Sequence, residues 1–316
     1  MAILAEFQTQ QHNCNEPLAA SPRDTVRKRM PVILEPMQTQ WDDQAQDGFN
    51  SNQLFWDERV PSHWRSQMYQ QHAQDLRAGG VALDDHVIKT LGDLTGQSAI
   101  HLQCHMGMET LSLERLGAIT TVGIDFSKPA LEHACALRDE LGLSTTFHCC
   151  NVYDTLEHVD QTFDLVFVSL GALCWLPDVP RWAALIGNLL HPGGRLYFID
   201  SHPMASTLDY NKEHDLMQVH FPYFQHKAVV LEEDGSYASS ETGFKQNRTV
   251  EWNHPIGEVV TALIRVGLVI DSLDESNTCC YKAFENMTPS RPGWWQLPPA
   301  LEGFVPFEYT LQAHKA

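Results

Sequence analysis

A regular alternation between short apolar runs and helical segments constrains this chain most strongly. Residues 98–102 form an apolar run, a glycine-containing turn follows, and the next helical segment ends at Gly117. A β-branched run over residues 120–124, a helical segment over 128–141 and a third run over 145–149 continue the pattern. This βαβαβ order is typical of a parallel sheet whose strands are joined by crossover helices. We therefore predict an α/β fold.

The alternation extends in both directions from this region. Upstream, residues 1–50 are rich in Gln, Asn, Asp and Pro and lack a sustained period, so we predict a loosely structured leader. Further predicted helices cover residues 61–79, with Pro61 in the first turn, 84–94, 179–190 and 256–266. Further predicted strands cover residues 163–169, 195–199, 268–273 and 304–313, the last of them antiparallel.

The predicted organisation is a leader followed by one domain over residues 51–316. Residues 51–96 form a helical segment, residues 97–204 the ligand-binding core, and residues 254–316 the C-terminal helix and strands. Between them, residues 205–253 break the rhythm. Two strand-like runs there, separated by the turn residues Asp234 and Gly235, predict an inserted β-hairpin, and residues 279–299 predict a loop.

Composition excludes several classes of function. The chain has 21 Lys and Arg against 40 Asp and Glu, a formal charge of −19 that would repel nucleic acid and anionic membrane surfaces. The eight cysteines show no CxxC spacing and the sixteen histidines no HExxH pattern, so we expect reduced thiols and no bound metal. No apolar run approaches the roughly 18 residues of a membrane span, and the first residues do not read as a secretory signal. We expect a cytoplasmic protein.

Four residues follow successive predicted strands at the edge where parallel sheets bind ligands: Gly107, Asp125, Asn151 and Ser169. Gly107 lacks a Cβ, so its backbone could approach a ligand closely. Asp125 follows it at nearly the spacing of about 20 residues at which a carboxylate meets ribose hydroxyls. An ionised carboxylate only accepts hydrogen bonds and therefore suits two vicinal hydroxyls. Together these residues predict a nucleoside ligand.

Several segments resemble the class I S-adenosylmethionine-dependent methyltransferases: AIHLQCHMGMETLSLERLGA, TTVGIDFS, NVYDT, FDLVFVSLGALCWLPDV and LHPGGRLYFIDSHP. More narrowly, the first loop is similar to a subgroup that reads LHLQCHFG there. The flanks FWDERVPSHWRSQMY, TALIRVGLVIDSLDE and VPFEYTLQAHKA resemble the same subgroup more loosely. The resemblance implies a Rossmann-like seven-stranded methyltransferase sheet with helices on both faces. It also implies that residues 51–96 form a lid and that the inserted hairpin covers the substrate.

The resemblance implies roles for individual residues. The loop from Gln103 to Gly107 would wrap the methionine and ribose parts of S-adenosylmethionine, Asp125 would bind the ribose hydroxyls, and Phe126 would flank the adenine. The full set of implied cofactor-binding residues is Trp56, Tyr69, Gln103, His105, Gly107, Thr110, Asp125, Phe126, Asn151, Val152, Ser169 and Leu170. In the wider superfamily, Asp, Gly and Gly usually stand in place of His101, Gln103 and His105.

Methyl transfer from a sulfonium needs mainly alignment and exclusion of water, and a general base only if the acceptor must lose a proton. His202, just after the fifth strand, is the leading candidate base, and His63 is the second. The competing interpretation of His202 is that it only turns and caps the chain.

Aromatic residues near the predicted mouth suggest a flat or cationic methyl acceptor. The candidates for binding it are Trp64, Trp175, Phe221, Tyr223 and Trp252. We predict a methyltransferase that acts on a nitrogen or oxygen of a small molecule. Two alternatives remain open: a nicotinamide-dependent oxidoreductase, against which the absence of GxGxxG argues, and a non-catalytic cofactor-binding relative. The sequence does not identify the acceptor or the oligomeric state.

Overall fold

The computed structural model describes residues 41–224 and 227–316. Its helices are α1 (Asp43–Arg65), α2 (Gln67–Arg77), α3 (Asp85–Leu91), α4 (Met108–Arg115), α5 (Lys128–Leu141), α6 (Thr155–His158), α7 (Val179–Leu189) and α8 (Ile256–Arg265). Its strands are β1 (Ser98–Leu102), β2 (Thr120–Asp125), β3 (Thr146–Cys149), β4 (Phe163–Val168), β5 (Leu190–Ser201), β6 (Leu208–Asn211), β7 (Leu216–Val219), β8 (Val229–Glu232), β9 (Arg248–Glu251), β10 (Leu268–Ser276), β11 (Thr278–Cys279), β12 (Thr288–Arg291), β13 (Trp294–Gln296) and β14 (Glu308–Lys315).

Seven of these strands form the main sheet, in the order β10-β14-β5-β4-β1-β2-β3. The strands from β5 to β3 pair in parallel, with β1 between β2 and β4. Strand β14 lies antiparallel to both β5 and β10. The predicted seven-stranded α/β sheet is therefore confirmed, including the antiparallel last strand.

Both faces of this sheet are buried, as expected for parallel strands joined by helices. Successive residues of a strand point to opposite faces, so one apolar run contributes side chains to a hydrophobic cluster on each face of the sheet. Ile100 and Phe198 belong to a cluster that contains side chains of α7 and α8. Their neighbours Ala99 and Tyr197 belong to a second cluster that contains side chains of α3 and α4. This double burial explains why the strands read as continuous apolar runs.

The N-terminal helices differ from the prediction. The helix expected to start at Pro61 starts instead at Asp43, where the Asp42 side chain accepts a hydrogen bond from Ala45 N, and Pro61 lies inside α1. The chain turns at Ser66, which is extended and caps α2 with its hydroxyl. Residues 43–50 thus belong to the helix and not to the predicted leader, of which residues 1–40 lie outside the described residues.

The predicted hairpin within residues 205–253 is present as the antiparallel pair β8 and β9. A second hairpin, β6 and β7, precedes it and was not predicted. The loop predicted over residues 279–299 also contains structure, because β11, β13 and β12 form a small antiparallel sheet. The last strand begins at Glu308, four residues later than predicted.

Candidate active site

The loop between β1 and α4 has an unusual backbone at the carboxyl edge of the sheet. Gln103, His105 and Gly107 all have positive φ, of 57°, 47° and 68°. Left-handed backbone at non-glycine residues costs free energy and occurs often at functional sites. The Gln103 side chain donates from Nε2 to Ala172 O at 2.9 Å, while its Oε1 is buried without a partner among the described residues. This loop therefore presents a buried acceptor that a ligand can satisfy.

Gly107 has a packing role that the sequence analysis did not predict. A Cβ added there would lie 2.7 Å from the Phe147 ring and 2.8 Å from the Ala134 Cβ. The residue also has to adopt left-handed backbone where it caps α4. The missing Cβ thus makes room for the packing of the loop against β3 and α5, and the predicted contact of the Gly107 backbone with the cofactor stays a prediction.

Asp125 lies against this loop at the end of β2. Its Oδ2 accepts a hydrogen bond from His105 N at 2.7 Å, and its Oδ1 accepts one from Ser127 N at 2.8 Å. Burial raises the pKa of Asp125 to about 6. A second carboxylate, Asp57 of α1, accepts from the Ser127 hydroxyl at 2.6 Å, and burial also raises its pKa. The sequence analysis did not identify Asp57.

A cleft of about 310 Å³ opens at the ends of β2 and β3. It is lined by four predicted cofactor residues, Gln103, Phe126, Asn151 and Val152, and by the predicted acceptor residue Trp175. The other lining residues are Trp41, Gln46, Phe49, Asn50, Asn52, Gln53, Cys149, Cys150, Asp154 and Leu176.

Helix α1 supplies much of that lining, and the sequence analysis missed this because it assigned residues 41–50 to the leader. A usable signal was present, since Ala45, Phe49, Asn52 and Trp56 recur at helical spacing. Gln53 of the same helix donates to Phe126 O at 2.8 Å, which fixes α1 over the cleft.

The predicted lid residues Trp56, His63 and Tyr69 meet around His105. The Trp56 ring centre lies 5.4 Å from that of His105 and 5.4 Å from that of Trp175. The Tyr69 ring stacks on His63 at 5.6 Å, and its hydroxyl lies 2.5 Å from that of Tyr237 in the loop between β8 and β9. The lid and the inserted hairpin thus close the same edge of the sheet.

His63 has no free ring nitrogen in this arrangement. Its Nδ1 lies 3.1 Å from His105 Nε2, and its Nε2 lies 2.6 Å from Ser236 Oγ. Burial and the nearby Arg59 lower the pKa of His63 to about 4. The imidazole is therefore neutral at physiological pH and connects the lid, the β1 loop and the hairpin.

His202, the leading candidate base, also has both nitrogens engaged. Its Nδ1 accepts from Met204 N at 3.0 Å, and its Nε2 lies 2.8 Å from Glu275 Oε1. The lone pair that would take up a proton is therefore already used to cap a turn. This arrangement favours the competing interpretation, in which His202 caps the chain, over the predicted role as a base.

A second hydrogen-bonded chain runs beneath the loop. His101 Nδ1 lies 2.9 Å from Thr110 Oγ1, and His101 Nε2 lies 3.0 Å from Ser169 Oγ. The Ser169 hydroxyl in turn donates to Glu109 Oε2. Two predicted cofactor residues, Thr110 and Ser169, are thus joined through His101. Leu170, the next predicted residue, packs against the sheet cluster of α3 and α4.

Of the five predicted acceptor-binding aromatics, Trp64 and Trp252 do not fit that role. Trp64 stacks on His133 of α5 at 4.7 Å. Trp252 packs so closely against α1 that a Cβ on Gly48 would lie 2.6 Å from its ring. Both rings therefore fill the interface between the lid and the domain.

The other two aromatics, Phe221 and Tyr223, follow the β6–β7 hairpin and are half-buried. Phe221 packs edge-on against His220 at 4.7 Å, and the Tyr223 hydroxyl accepts from Ile256 N at 3.3 Å. Neither ring lines the cleft at the ends of β2 and β3, and their predicted role in binding the acceptor stays a prediction.

Two further features concern the described residues only. Among them, no group of three or more His, Cys, Asp or Glu side chains is arranged to hold a metal ion. No helix within the same ranges is both long and apolar enough to cross a bilayer.

Comparisons with known proteins agree with this geometry. Residues 100–198 match a family model described as a methyltransferase domain. The chain is 37% identical over 120 residues to demethylmenaquinone methyltransferase of Lactococcus lactis subsp. lactis (strain IL1403), covering 37% of this chain and 47% of the relative. It is 28% identical over 118 residues to ubiquinone biosynthesis O-methyltransferase of Neisseria meningitidis serogroup C (strain 053442), covering 36% and 48%. The chain spans about half the length of these curated relatives.

The fold is also similar to a solved structure, an S-adenosylmethionine-dependent methyltransferase from Mesorhizobium loti. The TM-score is 0.52 and the identity 22%, over 72% of this chain and 94% of the other. The segment that matches the family model runs from β1 to β5 and contains the loop, Asp125 and Ser169. Residues 100–198 thus resemble a methyltransferase domain, and the fold is similar to that of the S-adenosylmethionine-dependent methyltransferase from Mesorhizobium loti. The narrower subgroup predicted from the LHLQCH loop stays a prediction.

Proposed function

We propose that this protein transfers the methyl group of S-adenosylmethionine to a nitrogen or oxygen of a small molecule, beneath the cover formed by α1, α2 and the β8–β9 hairpin. One observation carries the proposal: the Asp125 carboxylate is fixed by His105 N beside a cleft lined by Phe126 and Asn151. A carboxylate next to an aromatic-lined cleft suits an adenosine, whose ribose hydroxyls donate and whose base stacks.

The residues present fit the cofactor. Phe126, Asn151 and Val152 would hold the adenine within the cleft, and Asp125 would hold the ribose. Because Gln103 Oε1 is buried and lacks a partner among the described residues, a bound ligand that donates a hydrogen bond would satisfy it. When bound, S-adenosylmethionine supplies an electrophilic methyl group on a positively charged sulfur, which is a good leaving group.

The protein's own contribution is alignment and exclusion of water. The rings of Trp56, Tyr69 and Tyr237 cover the edge of the sheet near His105. His63 and His202 have their ring nitrogens engaged within the protein. The proposed reaction is therefore a direct displacement in which neither histidine removes a proton from the acceptor. The attacking atom of the acceptor already carries the free electron pair that bonds to the methyl carbon.

The acceptor is proposed to be a small molecule in the cytoplasm. Net charge supports this, since −19 disfavours nucleic acid and anionic membranes as partners. The two curated relatives are named for demethylmenaquinone and for ubiquinone biosynthesis, which also supports a small acceptor. A nicotinamide-dependent oxidoreductase is the weaker candidate, because the β1 loop lacks GxGxxG and β14 is antiparallel.

A transfer assay tests the proposal. The chain is incubated with methyl-labelled S-adenosylmethionine and a panel of amines, phenols and carboxylates, and label in the product is counted. Label in at least one small-molecule product is expected with the wild-type chain and with Asp271→Asn, an exposed control on β10, and is expected to be lost in Asp125→Asn. Cofactor binding without transfer to any acceptor class would contradict the proposed activity and favour the non-catalytic relative.

A further inference from the structure

Glu109 is a carboxylate in the first turn of α4 whose two oxygens have different surroundings. Its Oε2 accepts a hydrogen bond from Ser169 Oγ at the end of β4. No described residue donates to its Oε1, and 32% of the side chain is exposed. One oxygen is thus held by the protein, and the other is open to a ligand that carries hydrogen-bond donors.

The surroundings of Glu109 contain no compensating positive charge. Within residues 41–224 and 227–316, no lysine or arginine forms an ion pair with it. The ring of His101 lies 4.0 Å away, but burial lowers the pKa of His101 to about 3, so this ring is neutral. Burial raises the pKa of Glu109 to about 7. Burying a carboxylate without a cation costs free energy, and a cationic ligand would offset that cost.

The position of Glu109 follows from the order of the strands. The cleft in which we place the adenine lies at the ends of β2 and β3. Asp125 lies at the end of β2, beside the β1 loop. Across the sheet from β3 through β2, the next strands are β1 and β4. Glu109, at the start of α4, accepts a hydrogen bond from Ser169, which follows β4. If the ribose is held at Asp125 and the adenine in the cleft, the amino-acid end would lie on the β1 and β4 side, where Glu109 is.

S-adenosylmethionine carries two cationic groups, a sulfonium and an ammonium, which differ in their capacity to donate hydrogen bonds. A sulfonium has no hydrogen to donate, whereas an ammonium has three N–H donors and forms charge-assisted hydrogen bonds with carboxylates. His101, in β1, lies between Thr110 and Ser169, is bonded to both, and is neutral because burial lowers its pKa to about 3. The carboxylate that lies beside this histidine is Glu109 of α4.

We propose that Glu109, oriented by Ser169, binds the ammonium group of the amino-acid end of S-adenosylmethionine. This inference rests on the proposed function. It assigns a cofactor-binding residue outside the set that the sequence analysis named.

The test compares two ligands that share the adenosine and sulfur but differ in the amino-acid end. Dissociation constants for S-adenosylhomocysteine and for 5′-methylthioadenosine, which lacks that end, are measured calorimetrically. The proteins are the wild type, Glu109→Gln and the exposed control Glu132→Gln on α5. Glu109→Gln should weaken S-adenosylhomocysteine by about tenfold or more and leave methylthioadenosine unchanged, since it removes one charge-assisted bond. Ser169→Ala should show the same selectivity with a smaller loss.

Equal weakening of both ligands in Glu109→Gln would overturn the inference, because it would indicate a structural role for the side chain. Unchanged binding of both ligands would overturn it as well. In either case the wild-type chain still binds both, so the proposed function stands. Failure of the wild-type chain to bind either ligand would overturn the proposed function and this inference with it.

Discussion

Replacing Gly107 with alanine should destabilise the protein for two separable reasons. The residue has φ of 68°, and an alanine held in left-handed backbone costs about 1 kcal/mol. The new Cβ would also lie 2.7 Å from the Phe147 ring, and overpacking of this kind costs about 1–3 kcal/mol. We expect Gly107→Ala to lower the free energy of unfolding by about 2–4 kcal/mol.

Gly142 provides a matched control. It has nearly the same φ, 66°, and nothing lies within 4 Å of its hypothetical Cβ. Gly142→Ala should therefore cost only about 1 kcal/mol, the backbone part alone. Urea denaturation followed by circular dichroism measures both variants, and the difference between them isolates the close contacts with Phe147 and Ala134.

A double-mutant cycle completes the test. The loss in the Gly107→Ala, Phe147→Leu double variant should be smaller than the sum of the two single losses by about 1 kcal/mol or more, because the smaller side chain relieves the overlap. Equal destabilisation by Gly107→Ala and Gly142→Ala, or the absence of coupling to Phe147, would refute the packing role assigned to Gly107.

Four further outcomes are expected. Burial raises the pKa of Asp125 to about 6, and an ionised carboxylate is needed to bind ribose. The affinity for 5′-methylthioadenosine should therefore rise between pH 5 and 7, and a flat calorimetric profile would contradict this. Because of the same raised pKa, the folded chain binds more protons than the unfolded chain between about pH 4 and 6, so the contribution of Asp125 to stability should fall as pH rises through this range. Asp125→Asn should remove this pH dependence in urea denaturation. His202→Asn, whose Oδ1 can still accept from Met204 N, should retain methyl transfer with an unchanged pH profile, and a complete loss of turnover in a folded variant would restore the catalytic interpretation. Arg59→Met should lower the free energy of unfolding by about 3 kcal/mol or more. The buried guanidinium donates to the carbonyls of Gly235, Glu233 and Gln246, and each carbonyl left without a donor costs about 1–3 kcal/mol. A decrease below about 0.5 kcal/mol would show that water replaces these hydrogen bonds.

The sheet was predictable because its strands are buried on both faces. Residues such as Val166 and Phe167 fall on opposite faces, yet both are fully buried, so the run reads as continuously apolar. The end of such a run also identifies the residue at the ligand edge, which is how Asp125 was found. Local patterns were sufficient here because strand, turn and helix follow each other within about 30 residues.

The lid was harder to predict because its contacts are distant in sequence. His63 bonds to Ser236, which is 173 residues later in the chain, and Ser62 bonds to Ser239 across a similar separation. The start of α1 was missed because Gln, Asn and Asp dominate residues 43–53, and the apolar contacts that stabilise this helix come from the rest of the domain.

Residue type and position alone do not give the contacts of a side chain. His202 lies at the ligand edge of the sheet as predicted, but its ring nitrogens bond to Met204 and Glu275. Glu109 was overlooked because a glutamate in the first turn of a helix is common for reasons of helix stability alone. Only its contact with Ser169 and the absence of a cation among the described residues distinguish it.

The most direct test of the central claim is a calorimetric titration of the folded chain with S-adenosylmethionine and, separately, with NADH. The site formed by Asp125, the β1 loop and the neighbouring cleft predicts saturable binding of one S-adenosylmethionine per chain and weak or no binding of NADH. No heat of binding with millimolar S-adenosylmethionine, or tight binding of NADH alone, would contradict it.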